Sequence, residues 1–387
     1  HVLLSMIGIL VVTFSGGLLV LFIGVEILGL SVALLSGLHR GARRSQEAAW
    51  KYFSYSAFAS AFVLFGVALI YGEVGRVTGS ASLAFDEIGY VFMGQTASLL
   101  GWIGAGFVVG GLSFKLAAVP FHMWAPDVFD GAPTRTTGFM AVAVKAAACA
   151  GLLRFISAAL VSCDVRNETF VQAIELIAIL TMVVGNLLAI RQTSVKRMLA
   201  YSSIAHTGYV FVGLAAFVAN PESGATAAVG YYLLGYTAMT LGALGVVLVV
   251  ERADPGYEGL DTERLAGLAM NHPVLSAAMA VFMVSLAGLP PTTGFLGKVA
   301  VFSAAIESGR WEVVLFAVFA SVIGVYCYLR VVAVMFMREA TNSLVTIRSW
   351  WLFGGLAVCA ALSIGLGVMP EPALAFARLA LEGWMTL

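Results

Sequence analysis

Charge is scarce in this chain. Aspartate, glutamate, lysine and arginine make up 11% of its 387 residues, while hydrophobic residues make up 60%. A soluble domain carries roughly 25% charged residues. Neither sign is in excess, with 21 basic and 21 acidic side chains, which argues against a nucleic-acid partner or an acidic substrate. Cysteine is also rare. Cys149, Cys163, Cys327 and Cys359 lie far apart, with no CxxC, so neither a metal site nor an iron–sulfur cluster has its usual ligand spacing. They read as small apolar side chains within helices. No GxGxxG follows a strand pattern and no GxxxxGK[ST] occurs, which removes nucleotide and flavin chemistry from the chain itself. Finally, there is no initiator Met, basic n-region or A-x-A site; His1 opens directly onto an apolar run. The expectation is a start inside a longer protein.

What the chain does have is hydrophobic length. Mean hydropathy is +0.97, and apolar runs occupy about 2–15, 18–38, 48–71, 98–130, 134–161, 169–190, 196–219, 224–250, 273–307, 311–337 and 349–370. Lipid offers no hydrogen bonds, so each run must satisfy its own backbone, as a helix of ~20 residues does. The expected fold is an all-α polytopic membrane protein with about 11 transmembrane helices. The first run is short and is expected to cross only in part. No linker or second domain interrupts residues 1–387.

Loop charges orient the runs. Arg40, Arg43, Arg44 and Lys51, then Arg191, Lys196 and Arg197, then Arg338 and Arg348 fall on one side if every run crosses once. The opposite loops carry few basic residues (Arg76, Arg166, Arg310) among acids such as Glu73, Asp164 and Glu168. The arginine-rich side is then cytoplasmic. The 251–264 loop is mildly acidic and argues neither way. Two runs, 98–130 and 273–307, are too long for one straight helix and contain Pro120 and Pro290–Pro291. They stand five runs apart. An odd repeat length inverts the second copy, so two inverted five-helix repeats, each with a broken helix, are expected.

Four charged residues stand within the runs: Glu26, Lys115, Lys145 and Lys298. A charge at such depth costs several kcal/mol and is a functional hypothesis by default. Burial disfavours the charged form of both residue types, while mutual attraction favours it, so a buried Lys–Glu set is poised between states, as a switchable proton site requires. One glutamate cannot neutralise three lysines, which weighs against a purely structural ion pair. Lys115 precedes Pro120, and Lys298 follows Pro290 and Pro291. Proline frees carbonyls of the preceding turn, and these need protein or water as partners. His122, just past the first break, and His206, beside Ser202, Ser203, Thr207 and Tyr209, are possible relays. Arg154 and Glu175 read as packing or interface charges, and His39 and His272 as loop or helix-end residues. Gly104, Gly106, Gly110 and Gly111 are expected to allow close helix packing, and Asp127 and Asp130 to cap a helix beginning at Thr134.

The segment from Lys115 through PFHMWAPDVFDGAP at 120–133 resembles the diagnostic motif of the antiporter-like membrane subunits of respiratory complex I (NADH:quinone oxidoreductase), in its subunit N form, the counterpart of mitochondrial subunit 2. GVEILGLS around Glu26, EAAWKYF at 47–53, Lys145, VKRMLAYSSIAHTGY at 195–209 and SLAGLPPTTGFLGK at 285–298 match as well, in order along the chain. The resemblance implies a fourteen-helix fold, of which this chain looks like the fourth to fourteenth helices. It implies that Glu26 pairs with Lys115, and that Lys145 and Lys298 continue a proton path across the membrane plane. It further implies a proton-translocating translocase subunit without redox chemistry of its own. Metal and cofactor sites are then absent from this chain, with FMN, iron–sulfur clusters and quinone in other subunits. Its partners would be the other membrane subunits and lipid, and its location a bacterial plasma membrane. A cation/proton antiporter subunit shares the same features and is the alternative. A purely structural subunit is a third reading.

Overall fold

The computed structural model describes residues 1–39, 41–80, 82–93, 97–158, 168–253, 260–339 and 349–385. Arg40, Cys163, Asp164, Arg166 and Arg348, weighed above, lie outside the described residues. The described chain is helical: α1 (Val2–Thr13), α2 (Leu18–Ser36), α3 (Arg43–Thr78), α4 (Phe85–Met93), α5 (Leu99–Lys115), α6 (Trp124–Gly131), α7 (Thr134–Phe139), α8 (Lys145–Ile156), α9 (Glu168–Ile190), α10 (Val195–Ala219), α11 (Ala225–Ala253), α12 (Leu268–Asn271), α13 (Pro273–Ala287), α14 (Thr293–Glu307), α15 (Trp311–Met337), α16 (Trp350–Val368) and α17 (Glu371–Met385). A π-helical turn, Met140–Val144, joins α7 to α8 without a break. Eight of these stretches are long and apolar enough to cross a membrane, and three shorter apolar helices, Val2–Thr13, Leu99–Lys115 and Pro273–Ala287, accompany them.

Polar contacts sort the helix ends onto two faces. On the first, Asp127 of α6 pairs with Lys51 of α3 at 2.7 Å and with Arg197 of α10. Ser194 donates to Asp130 at 2.7 Å, Lys196 lies 3.7 Å from Glu251, and Arg338 pairs with Glu263. The acids following α11 therefore join the arginine-rich face, a placement on which their charge alone was silent. On the opposite face, Arg310 pairs with Glu168 at 2.5 Å, Leu18 N donates to Leu83 O at 2.8 Å, and Trp384 Nε1 donates to Thr13 O at 2.9 Å. The pair α5–α6 runs from this opposite face to the arginine-rich one, and α13–α14 runs the other way.

Asp127 and Asp130 do not cap α7, whose N-cap is Pro133 with no side-chain bond. Cations on α3 and α10 lie within reach of Asp127, and a charge-assisted pair is a stronger acceptor use than a neutral N–H. The glycine expectation divides. A Cβ on Gly104 or Gly111 would meet α3 at 3.0 Å or less, but one on Gly106 would meet nothing within 4 Å and one on Gly110 only the Phe121 ring at 3.7 Å. Arg154 is buried and donates to Ser15 O at 2.7 Å and Trp384 O at 3.0 Å, so it ties both ends of the chain to α8. Three helices have no counterpart among the apolar runs, the single turn α12 among them. The amphipathic α4 and α17 are too short or too polar to register as spans, and both lie at the opposite face.

α10 is the axis of the molecule. Its membrane-length window is entirely buried, because other helices cover it on every side, and a helix apolar all round suits that position. Ser194 at its N-cap accepts from Arg197 N at 3.4 Å. Its contact with α9 is close because Gly185 has no side chain; a Cβ there would lie 2.5 Å from Ala205 N. The few hydroxyl and imidazole groups of α10 therefore face neighbouring helices.

Candidate functional site

Both broken helices stop in the same way. In the first, Ala117 adopts a left-handed conformation (φ 57), Ala117 N donates to Phe114 O at 2.9 Å and Ala118 N to Ser113 O at 3.0 Å. In the second, Gly288 is left-handed (φ 79), Gly288 N donates to Ser285 O at 2.9 Å and Leu289 N to Val284 O at 3.2 Å. This is the Schellman stop, which ends a helix while satisfying two of its last carbonyls. Pro120, and Pro290 with Pro291, then prevent the helix from resuming at once.

Several further backbone groups at the breaks have named partners, as a buried backbone demands. Thr181 of α9 accepts from Val119 N at 3.0 Å. The carbonyl just past α5, Leu116 O, accepts from Thr207 Oγ1 of α10 at 2.6 Å. The corresponding carbonyl of the second break, Ala287 O, accepts from Lys298 Nζ at 3.0 Å. The two lysines thus occupy different arms. Lys115 is the last residue of α5, where the helix dipole favours a cation; Lys298 lies on α14 and reaches back to the end of α13.

Lys115, Lys145 and Lys298 are 4%, 4% and 5% exposed. Among the described residues none of them forms an ion pair. Each instead has a serine hydroxyl and a tyrosine ring. Lys115 Nζ donates to Ser56 Oγ at 2.7 Å and lies 5.3 Å from the Tyr52 ring centre. Lys145 Nζ donates to Ser203 Oγ at 2.6 Å and Ser203 O at 2.7 Å, 4.7 Å from the Tyr236 ring. Lys298 Nζ donates to Ser321 Oγ at 2.8 Å, 4.9 Å from the Tyr209 ring. Cation–π contact and a neutral acceptor solvate an ammonium without opposing its charge.

Glu26, half-buried on α2, departs from the expected direct pairing. Its carboxylate accepts from Ser60 Oγ of α3, one helical turn beyond the Ser56 that holds Lys115. The glutamate and the lysine lie near one another, yet each is bonded to α3.

α10 links the lysines. Thr207 Oγ1 touches both Leu116 O at the first break and, at 3.1 Å, Ser203 O, which also accepts from Lys145. His206, 2% exposed, lies within electrostatic reach of both Lys145 and Lys298. Its Nδ1 is 2.5 Å from Tyr232 OH and its Nε2 3.4 Å from Tyr328 OH, which is itself 2.6 Å from Ser202 Oγ. Among the described residues His122 makes no hydrogen bond to Lys115, and its Nδ1 is buried without a partner. The structure therefore gathers Glu26 with Lys115, and Lys145 with His206 and Lys298, and leaves His122 at the margin. The serines and tyrosines that contact the lysines had one sequence signal, hydroxyls inside apolar runs, of which only the Ser202–Tyr209 stretch stood out.

Comparison with known proteins gives three consistent results. The family described as "NADH:quinone oxidoreductase/Mrp antiporter, TM" matches residues 15–324. The chain is similar to NADH-quinone oxidoreductase subunit N 1 of Sorangium cellulosum (43% identical, covering 96% of this chain and 74% of the relative) and to NADH-quinone oxidoreductase subunit N of Myxococcus xanthus (42%, covering 94% and 74%). Its fold is similar to a chain of respiratory complex I from Thermus thermophilus, at TM-score 0.80 and 34% identity, covering 97% of this chain and 78% of that one.

Proposed function

The chain belongs to the NADH:quinone oxidoreductase/Mrp antiporter transmembrane family, and from that premise we propose that it is a proton-translocating membrane-arm subunit of an NADH:quinone oxidoreductase. The observation that carries the reading is the set of three lysines, each 4–5% exposed and without a carboxylate partner among the described residues. An unpaired buried cation is costly, and a fold retains it where the charge is used.

In this reading Glu26, Lys115, Lys145 and Lys298 each hold a proton in turn. Neighbouring subunits alter the field at Glu26 and Lys115; loss of a proton from one lysine makes the next easier to protonate. Thr207, Ser203 and His206 lie along α10 between the lysines and supply hydroxyl and imidazole groups able both to give and to accept. The opposite senses of α5–α6 and α13–α14, and their identical stops, support two inverted five-helix repeats within one antiporter-like unit spanning 1–387. Electron transfer, with FMN, iron–sulfur clusters and quinone, belongs to other subunits. The partners are the other membrane subunits and lipid, in a bacterial plasma membrane.

The test is Lys115→Ala in the assembled complex. Native gels of mildly solubilised membranes are expected to show the same large band, active in NADH oxidation. Proton uptake by inverted vesicles is expected to fall at least about tenfold, as removal of a step in a serial path demands. Wild-type uptake in the variant would defeat the reading. A small band without redox activity would instead favour the cation/proton antiporter, which sodium-dependent ΔpH in vesicles would then establish.

A further inference from the structure

We infer that Ser56 and Ser60 of α3 are positioning residues that keep Glu26 and Lys115 apart while serving both of their charge states; this rests on the reading that Glu26 and Lys115 carry protons.

Ser60 Oγ reaches two acceptors, a carboxylate oxygen of Glu26 and, at 2.9 Å, the carbonyl of Ser56. A hydroxyl has one proton to give and two lone pairs to receive with, so it can engage only one of these acceptors fully at a time. When Glu26 is ionised, Ser60 donates to it. When Glu26 is protonated, the carboxyl donates to Ser60 Oγ, whose own proton turns back to the Ser56 carbonyl. In neither state of Glu26 does Ser60 Oγ lack a partner. Ser56 offers Lys115 the same choice. It accepts from the ammonium at 2.7 Å and can donate to the lone pair of the neutral amine. Ser56 and Ser60 are four residues apart, hence on one face of α3, and each is bonded to one member of the couple.

The space for this arrangement is made by α2. Gly29, three residues beyond Glu26, has no side chain, and a Cβ there would lie 2.5 Å from Lys115 Nζ and 3.0 Å from Ser56 Oγ. The missing side chain leaves the space in which the lysine reaches Ser56. Direct contact between Glu26 and Lys115 would fix both charges by mutual attraction. With each bonded to its own serine, either residue changes state without first breaking an ion pair.

The experiment compares Ser60→Thr with Ser60→Val in the assembled complex, measuring proton uptake by inverted vesicles per NADH oxidised. The two replacements have nearly the same shape and differ in the hydroxyl. A hydrogen bond to a charged group accounts for a factor of about ten or more between the split and paired arrangements, so Val is expected to lower uptake by about tenfold and Thr to stay within about twofold of wild type. Ser60→Ala, smaller than the native side chain, is expected to match Val and replaces it if valine disturbs the native-gel band. Equal behaviour of Thr and Val, or wild-type uptake by Ala, would overturn the inference. Lys115→Ala run alongside separates the causes: if it too pumps normally, the underlying reading fails; if it does not, only the role of the serines does.

Discussion

Replacing Gly288 with alanine tests the second broken helix at its tightest point. Gly288 has φ 79 and ψ 46, a left-handed conformation that costs a residue with a Cβ about 1–2 kcal/mol. Strain alone is tolerable there, since Ala117 holds the matching position of the first break at φ 57 with a Cβ in place. The difference lies in what the new methyl would meet. At Gly288 it would stand 2.7 Å from Lys298 Nζ, 3.0 Å from its Cδ and 3.1 Å from its Cε. These atoms are the far end of a flexible chain, so the lysine moves and the backbone stays. Moving it breaks one of the bonds to Ala287 O at 3.0 Å and Ser321 Oγ at 2.8 Å. Hydrogen bonds to a charged group contribute about 1.5–3 kcal/mol. Losing one of them, with the backbone strain added, comes to about 3 kcal/mol, all of it local to Lys298. The expected outcome is a complex that assembles and oxidises NADH while proton uptake by vesicles falls at least about tenfold. Ala117→Gly, which relieves strain at the matching position and touches no lysine, is expected to pump normally. Wild-type uptake in Gly288→Ala would refute the claim that the Lys298 position is held by the helix stop.

Two further predictions concern the connections around the site. Thr207→Val keeps the side-chain shape but leaves Leu116 O without its 2.6 Å donor; an unpaired buried carbonyl costs about 1–3 kcal/mol, so the solubilised complex is expected to lose its native-gel band at a lower temperature than wild type. Asp127→Asn weakens the pairs with Lys51 and Arg197, which are 34% and 40% exposed. Solvent limits each pair to about 1 kcal/mol or less, so the variant is expected to assemble, with a loss of thermal stability that shrinks as salt is raised.

The spans were legible because lipid leaves the backbone one economical solution, and the apolar runs coincide with helices from α2 through α16 to within a few residues at most ends. Glu26, Lys115, Lys145 and Lys298 stood out for the complementary reason: a charge in an apolar run is costly, and the three lysines prove to be buried. What could not be read was rotation. Ser56 and Ser60 sit in FSYSAFAS among residues that point to every side of α3, and only the packing of α2 and α5 shows that these two face Glu26 and Lys115. The same limit hid Ser321, Tyr232 and Tyr328, which lie on other helices than the groups they touch. It also produced the expectation of a direct Glu26–Lys115 pair, since proximity of two helices does not say which side chain intervenes. Asp127 and Asp130 were given to the nearest helix in sequence because cations on α3 and α10 become neighbours only in the folded chain. α4 and α17 lack the length and uniform apolarity that mark a span, and their positions depend on packing against α3 and α11 respectively.

The recurrence of one serine and one tyrosine at each lysine has a physical logic that a carboxylate partner would not satisfy. A carboxylate against an ammonium in a medium of low polarity binds the proton's charge tightly, and separating the pair leaves two uncompensated ions. A serine hydroxyl accepts from the ammonium and donates to the amine, and a tyrosine ring offers the cation its face while giving the neutral amine an apolar neighbour. At 2.7, 2.6 and 2.8 Å the three hydroxyls make bonds of ordinary length, so the cation is stabilised without a fixed counter-charge. In the proposed function, energy delivered from a neighbouring subunit then needs only to tip a modest balance at each lysine. The one carboxylate, Glu26, stands at the end of the set and is bonded to Ser60, one turn from the Ser56 that holds Lys115. A charge change there reaches Lys115 through space while the bonds on both sides stay satisfied, which is the condition for passing on a change of state without first breaking an ion pair.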